Sequence, residues 1–228
     1  MTRHLIGRHV VITGASRGIG LALAREFIAE GARLTVTATA AEHLDGFPPE
    51  NIVIALSLDL RDPASIAVAA EAIASTGEPV DVLINNAGLL GARADLADYP
   101  MEIWRDVMAV SVDGTMQFTQ AMIPLIPNGG AIINVTSGAA GRENWGAYGV
   151  SRLAINGITR MLRGELADRH IRCVAINPGG VRTELRAAAY PDEDPQSVPL
   201  PRARVAPFIA VASGIDPGWL VEAKDWDE

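Results

Sequence analysis

The 228 residues, 49% of them hydrophobic, suffice for one substantial core and leave little for a second domain. Lys and Arg number 19 against 27 Asp and Glu, a net charge of -8, and no basic run could neutralise a row of phosphates, so nucleic acid is not an expected partner. A lone cysteine, Cys173, allows no internal disulfide, and no stretch is apolar for long enough to be a signal or a membrane span, so a soluble cytoplasmic protein away from membranes is expected.

Along the chain, short apolar β-rich runs alternate with longer helical patterns. Strands are predicted over 9–14, 33–38, 52–59, 81–86, 131–137, 171–177 and 219–223. Most are apolar on both faces, as strands covered by helices on each side must be. Helices are predicted over 18–30, 63–75, 100–122, 146–168 and 202–212. Two of them open at Pro63 and Pro100, because proline suits a helix start. The expected fold is α/β, a single Rossmann-type doubly wound domain over 1–228 with a seven-stranded parallel sheet. The segment 186–204 carries four prolines and three acids, which exclude a core element and predict a flexible substrate flap.

The stretch Thr13 to Gly20 follows the first strand and opens the first helix, where the free amides and positive end of a helix meet a pyrophosphate. Glycine has a reason at each of three positions. A side chain at Gly14 blocks the tight turn, one at Gly18 blocks approach of backbone to phosphate, and one at Gly20 pushes helix and strand apart. Ser16, Arg17 and Ile19 complete the candidate phosphate loop. The lone Cys173, in IRCVAIN, reads as a buried core residue. His4, His9, His43 and His170 lack ligand spacing, which predicts surface or capping roles and no metal. Trp219 and Trp226 are candidates for a substrate wall or a subunit contact, with plain packing as the alternative.

TGASRGIG at 13–20, NNAG at Asn85 to Gly88, and a serine, tyrosine and basic residue downstream resemble the short-chain dehydrogenase/reductase family over essentially the whole chain. The resemblance implies that Asp59 and Leu60 lie at the adenine, that Asn86, Ala87 and Gly88 line the cofactor cleft, and that Pro178, Gly179, Val181 and Thr183 lie on the nicotinamide side. The second strand ends without an acid to reserve a ribose 2′-hydroxyl, and Arg17 can meet a 2′-phosphate, so NADP is the expected cofactor, with NAD the alternative. Thr39 stands where NADP-preferring relatives often place a second basic residue. A homodimer or homotetramer through the helices at 100–122 and 146–168 is also implied.

The resemblance places the chemistry on Ser137, Tyr148 and Arg152, with Ser111 at a fourth position. Tyr148 and Arg152 are one helical turn apart and share a helix face, and Tyr148 and Arg152 also belong to the expected cofactor site. In such relatives the serine hydrogen-bonds the substrate carbonyl, and the tyrosine exchanges a proton with that oxygen. A tyrosine with the ordinary pKa of about 10 is a weak base at neutral pH, and a cation within about 4–6 Å favours its ionised form. Two positions depart from the family pattern: Arg152 replaces the usual lysine, and Ser111 replaces the usual asparagine. Arginine supplies charge but does not pass a proton on. The spacing from Ser137 to Tyr148 is also shorter than usual, which leaves Thr136 as a neighbouring candidate.

Hydride transfer between nicotinamide and a carbonyl or secondary alcohol is therefore the expected function. Serine, tyrosine and arginine are also the triad of halohydrin dehalogenases, relatives that place an aromatic residue where this chain has Gly18. A third reading is a dinucleotide-binding protein with little catalysis.

Overall fold

The structure, a computed structural model, describes residues 4–226. Seven strands, β1 (His9–Ile12), β2 (Arg33–Ala38), β3 (Ile52–Ser57), β4 (Val82–Asn85), β5 (Ala131–Val135), β6 (Arg172–Asn177) and β7 (Leu220–Glu222), form one sheet in the order β3-β2-β1-β4-β5-β6-β7. Every pairing is parallel. The doubly wound α/β architecture expected from the sequence is therefore present, with all seven strands where the β-rich runs place them.

Alternation along each strand explains why helices cover both faces. Val10 and Ile12 of β1, Ile84 of β4 and Ile133 of β5 turn toward one layer, where they meet Leu23 and Phe27 of α1 (Gly18–Ala29) and Phe208 and Val211 of α7 (Ala206–Ser213). Val11, Leu83 and Ile132 turn the other way, onto Ile73 of α2 (Pro63–Ser75), Phe118 of α4 (Thr115–Met122) and Leu162 of α5 (Gly146–Glu165). Burial pushes the Cys173 thiol up to about 12, which keeps this core cysteine unreactive.

Helix α2 starts at Pro63, with the side chain of Asp62 accepting from Ala64 N at 2.9 Å. The helix expected over 100–122 is divided. It runs as α3 (Met101–Met108), a π-helical turn over Ala109–Gly114, and α4. The last residue of this turn packs closely: a Cβ on Gly114 would collide with the Leu60 carbonyl oxygen.

The segment 186–204 is more structured than its prolines and acids predict. It contains most of a short helix, α6 (Glu184–Ala189), and two turns of 3-10 helix at Pro195–Ser197 and Pro201–Arg204. Ala189 is buried against Trp145 and Tyr148, so this stretch does supply a core residue. Thr183 begins α6 by accepting from Arg186 N, which the proline and acid count could not show.

Candidate active site

The sheet order reverses direction between β1 and β4, and ligands of open α/β sheets bind at such a point. The glycine loop leaves β1 here, and Asn86, Ala87 and Gly88 leave β4 beside it. Thr13 and Asn86 tie the two together: Thr13 Oγ1 accepts from the amides of Asn86 and Ala87, and Asn86 Nδ2 donates to the carbonyls of Thr13 and Gly14 at 2.9 and 3.0 Å. The Asn86 side chain thus positions the phosphate loop, and it is spent on backbone. Gly14 has a φ of 67° and Gly18 a φ of 58°, both left-handed. A Cβ on Gly20 would collide with the Gly14 carbonyl oxygen and stand 2.6 Å from Asn86 Nδ2.

These loops open onto a cavity of about 760 Å³. Gly14, Ser16, Arg17, Gly18 and Ile19 line it from the glycine loop, and Asp59 and Leu60 line it from the segment after β3. Asn86, Ala87 and Gly88 form its floor, and Pro178, Gly179, Val181 and Thr183 close the side after β6. Gly20 sits behind the loop as a packing glycine. The Asn177–Gly179 turn is fixed by Asn177, which accepts from Gly179 N at 2.9 Å and donates to Glu222 of β7 at 2.6 Å.

Ser137, Tyr148 and Arg152 line the same cavity. Ser137 lies just after β5, and its hydroxyl accepts from Ala139 N at 3.1 Å, which caps the turn and leaves its own proton to point elsewhere. Its neighbour Thr136 is buried, with a hydroxyl that reaches the Arg152 carbonyl at 3.4 Å, so Ser137 is the more available of the two. Arg152 is 4% exposed. Its Nη1 donates to the Val135 carbonyl at 2.9 Å, its Cζ is 5.1 Å from the Tyr148 ring centroid, and its Nε is buried without a partner. A Cβ on Gly88 would collide with Arg152 Nη2, so the last glycine of NNAG makes room for the arginine.

Ser111 stands apart from the cavity lining. It lies in the π turn, 1% exposed, and its hydroxyl accepts from Leu89 N at 3.1 Å. It therefore braces the loop after β4 from behind. A π turn in mid-helix is often found at functional sites, and none of its residues reveals it in the sequence.

Several other placements differ from expectation. Arg17 pairs with Glu184 at 2.9 Å across the cavity mouth, with both side chains 75% exposed. Asp59 accepts from Arg61 N at 2.9 Å, and Arg61 also binds Asp106, whose carboxyl its hydrogen bond holds below the usual range. His43 lines the cavity beside Thr39, in a 3-10 turn directly after β2. Its place next to the second strand's end was the available signal. His9 is buried rather than superficial: its ring spans Pro79 O at 3.0 Å and Thr35 Oγ1 at 2.8 Å. Trp226 packs on the core, and neither it nor Trp219 lines the cavity. Trp145 and Tyr190, which belong to no motif, line the cavity instead.

No helix among the described residues is long and apolar enough to cross a membrane. The family model described as short chain dehydrogenase matches residues 8–194. The chain is 34% identical over 223 residues to the oxidoreductase YciK of Escherichia coli K12, covering 92% of this chain and 87% of the relative. It is 30% identical over 195 residues to a D-threitol dehydrogenase of Mycolicibacterium smegmatis, covering 82% and 75%. Among solved structures, a short chain dehydrogenase of Shigella flexneri 2a complexed with NADP superposes with a TM-score of 0.88 at 31% identity, over 98% of this chain and 100% of the other. One from Escherichia coli CFT073 complexed with NADPH gives 0.88 at 32%, over 97% and 98%. By its sheet, its phosphate loop and these similarities together, the chain belongs to the short chain dehydrogenase family.

Proposed function

We propose that the protein is an NADP-dependent oxidoreductase that interconverts a carbonyl compound and a secondary alcohol. One observation carries the reading: the glycine loop and the Ser137–Tyr148–Arg152 group line a single cavity of about 760 Å³. The residues fit a dinucleotide, because the loop offers free amides at the start of α1, a Cβ on Gly20 would collide with the Gly14 carbonyl, and Gly14 is left-handed, its would-be Cβ crowded by Ala87 at 3.1 Å. Gly14, Ser16, Arg17, Gly18 and Ile19 would hold the pyrophosphate, Asp59 and Leu60 the adenine, and Gly88, Arg152, Pro178, Gly179, Val181 and Thr183 the nicotinamide half. When bound, the nicotinamide supplies or accepts the hydride.

The chain's own residues manage the oxygen and its proton. In the reducing direction the carbonyl carbon gains the hydride while the Tyr148 hydroxyl gives its proton to the oxygen, which balances the alcohol formed. Ser137 donates to that oxygen and holds it in place. Arg152 is a fixed cation beside Tyr148 and lines the same cavity, where its guanidinium is placed to meet a ribose hydroxyl. Because arginine does not give up a proton, the tyrosine regains its own from solvent along another route. Preference for NADP is supported by Thr39, which follows β2 where an acid would reserve a ribose hydroxyl, and by Arg17 and His43, which line the same cavity. The two relatives above hold NADP or NADPH.

The dehalogenase reading is disfavoured by the left-handed Gly18, which keeps the phosphate cradle open. Self-association through α5 is supported by its exposed Leu153 and Met161. Reduction of a ketone panel with NADPH by wild type and Tyr148→Phe tests the central reading. Turnover that disappears in the variant is the expected outcome.

A further inference from the structure

Arg93, in the loop after β4, lays its guanidinium against two aromatic rings at once. Its Cζ is 4.6 Å from the Trp145 ring centroid and 5.0 Å from that of Tyr190. Its Nη1 donates to the Ala189 carbonyl at 3.0 Å, which uses one of five donors. Among the described residues it has no carboxylate partner. Arg93 faces a second cavity of about 500 Å³, which Arg142, Glu143 and Asn144 also line. Trp145 and Tyr190 form the wall shared by this annex and the main cavity. The Trp145 ring centroid lies 5.7 Å from that of Tyr148, so the annex begins one ring away from the proposed proton donor.

We propose that the annex binds an oxyanion carried by the substrate, with Arg93 and Arg142 as its ligands, so that the enzyme acts on oxo acids and their hydroxy counterparts in preference to neutral ketones. This rests on the hydride-transfer reading. The chain carries a net charge of -8 and repels anions at long range, so any attraction for them must come from local cations. A guanidinium held between two rings that stand at 62° to each other has little freedom to turn, and its remaining donors keep the planar fork that meets a carboxylate or phosphate with two parallel hydrogen bonds. Among the described residues Glu143 forms an ion pair with neither arginine, and the two cations outnumber it in the annex lining. A role as a strut for Tyr190 would account for Arg93 alone. Arg142 is exposed and makes no side-chain hydrogen bond among the described residues, so it is free to turn into the annex that it lines.

The test compares 4-oxopentanoate, 5-oxohexanoate and 6-oxoheptanoate with their methyl esters, and 4-oxopentyl phosphate with 5-hydroxypentan-2-one, on wild type, Arg93→Gln and Arg142→Gln. Reduction by NADPH is one readout. Calorimetric titration onto protein saturated with NADP⁺ is the second and needs no turnover. The expected result is an advantage of about tenfold or more for at least one anion over its neutral partner, expressed in KM and in affinity, that falls to about threefold or less in both variants. A variant that merely loosened the Tyr190 region would weaken anion and neutral partner alike. Whichever anion shows the advantage identifies it as carboxylate or phosphate. Equal treatment of anions and neutral partners by wild type in both assays overturns the proposal and leaves the reductase reading standing. Selective anion binding without turnover of any ketone supports the annex and sinks the reductase reading.

Discussion

The guanidinium of Arg152 fills the space that a methyl group on residue 88 would need: a Cβ built on Gly88 stands 3.1 Å from Arg152 Cζ and overlaps its Nη2. The glycine that ends NNAG and the arginine of α5 are thus one packing unit, 64 positions apart in a chain whose numbering places them at 88 and 152. Gly88→Ala should push the arginine off the Val135 carbonyl and cost about 1–3 kcal/mol, the usual range for overpacking. The cost should fall sharply in an Arg152→Ala background, where the space is free. Urea unfolding of the two single variants and the double variant measures the coupling, and strictly additive changes would show that the two residues do not compete.

Arg152 also separates a fixed-charge mechanism from a proton relay. Arg152→Lys keeps the charge and should retain or raise carbonyl-reductase turnover, whereas Arg152→Ala should be much worse than either. Tyr148→Phe should lower kcat by about 10²–10⁴-fold while cofactor affinity changes by less than about threefold. Steady-state kinetics with calorimetric affinities for NADPH checks both, and a fully active Tyr148→Phe would move the proton donor elsewhere.

Gly18 is left-handed, and its would-be Cβ points at Thr183 Cγ2, 3.4 Å away. Gly18→Phe should keep the circular dichroism of an α/β domain and lose dinucleotide binding, because the new ring fills the mouth of the phosphate cradle. Undiminished binding in a folded variant would place the phosphate site somewhere else.

His9 gives the fold a defined response to acid. Burial, the largest influence, holds its pKa below the ordinary value; the Pro79 carbonyl, Glu78 and Asp81 oppose this and Arg33 adds to it. With the folded value depressed, the unfolded chain binds the extra proton first. Stability from His9 is therefore complete above about pH 6.5 and declines as pH falls through and below it. The urea midpoint should drop between pH 7.5 and pH 5.5, and the drop should be smaller in His9→Gln. Equal slopes for the two proteins would remove His9 from the account.

Much of this architecture was legible because strand and helix periods are local properties: all seven strands and the starts at Gly18, Pro63 and Gly146 fall within or at the edge of the predicted runs. Gly14, Gly18 and Gly20 were legible for the same reason, since each reflects a turn or contact built by neighbours in sequence. Contacts between distant segments were not. The Arg17–Glu184 pair joins residues that nothing local connects, and the Asn86 side chain could be assigned to the loop only once β1 and β4 stood side by side. Ser111 illustrates a different gap. It stands where the family usually has an asparagine, yet whether its hydroxyl faces the cavity depends on the π turn, which no residue preference encodes. Ala189 and Tyr190 were hidden by the prolines and acids that follow them.

Calorimetric titration of the purified protein with NADP⁺ and with NAD⁺ tests the central claim most directly. The account predicts a saturable site for NADP⁺, tighter than for NAD⁺ by about tenfold or more, with 1.4 kcal/mol corresponding to each factor of ten. A reversed preference would remove the roles given to Arg17 and His43 only. Absence of heat with either dinucleotide at millimolar concentration would contradict the cofactor site, and with it the oxidoreductase built upon it.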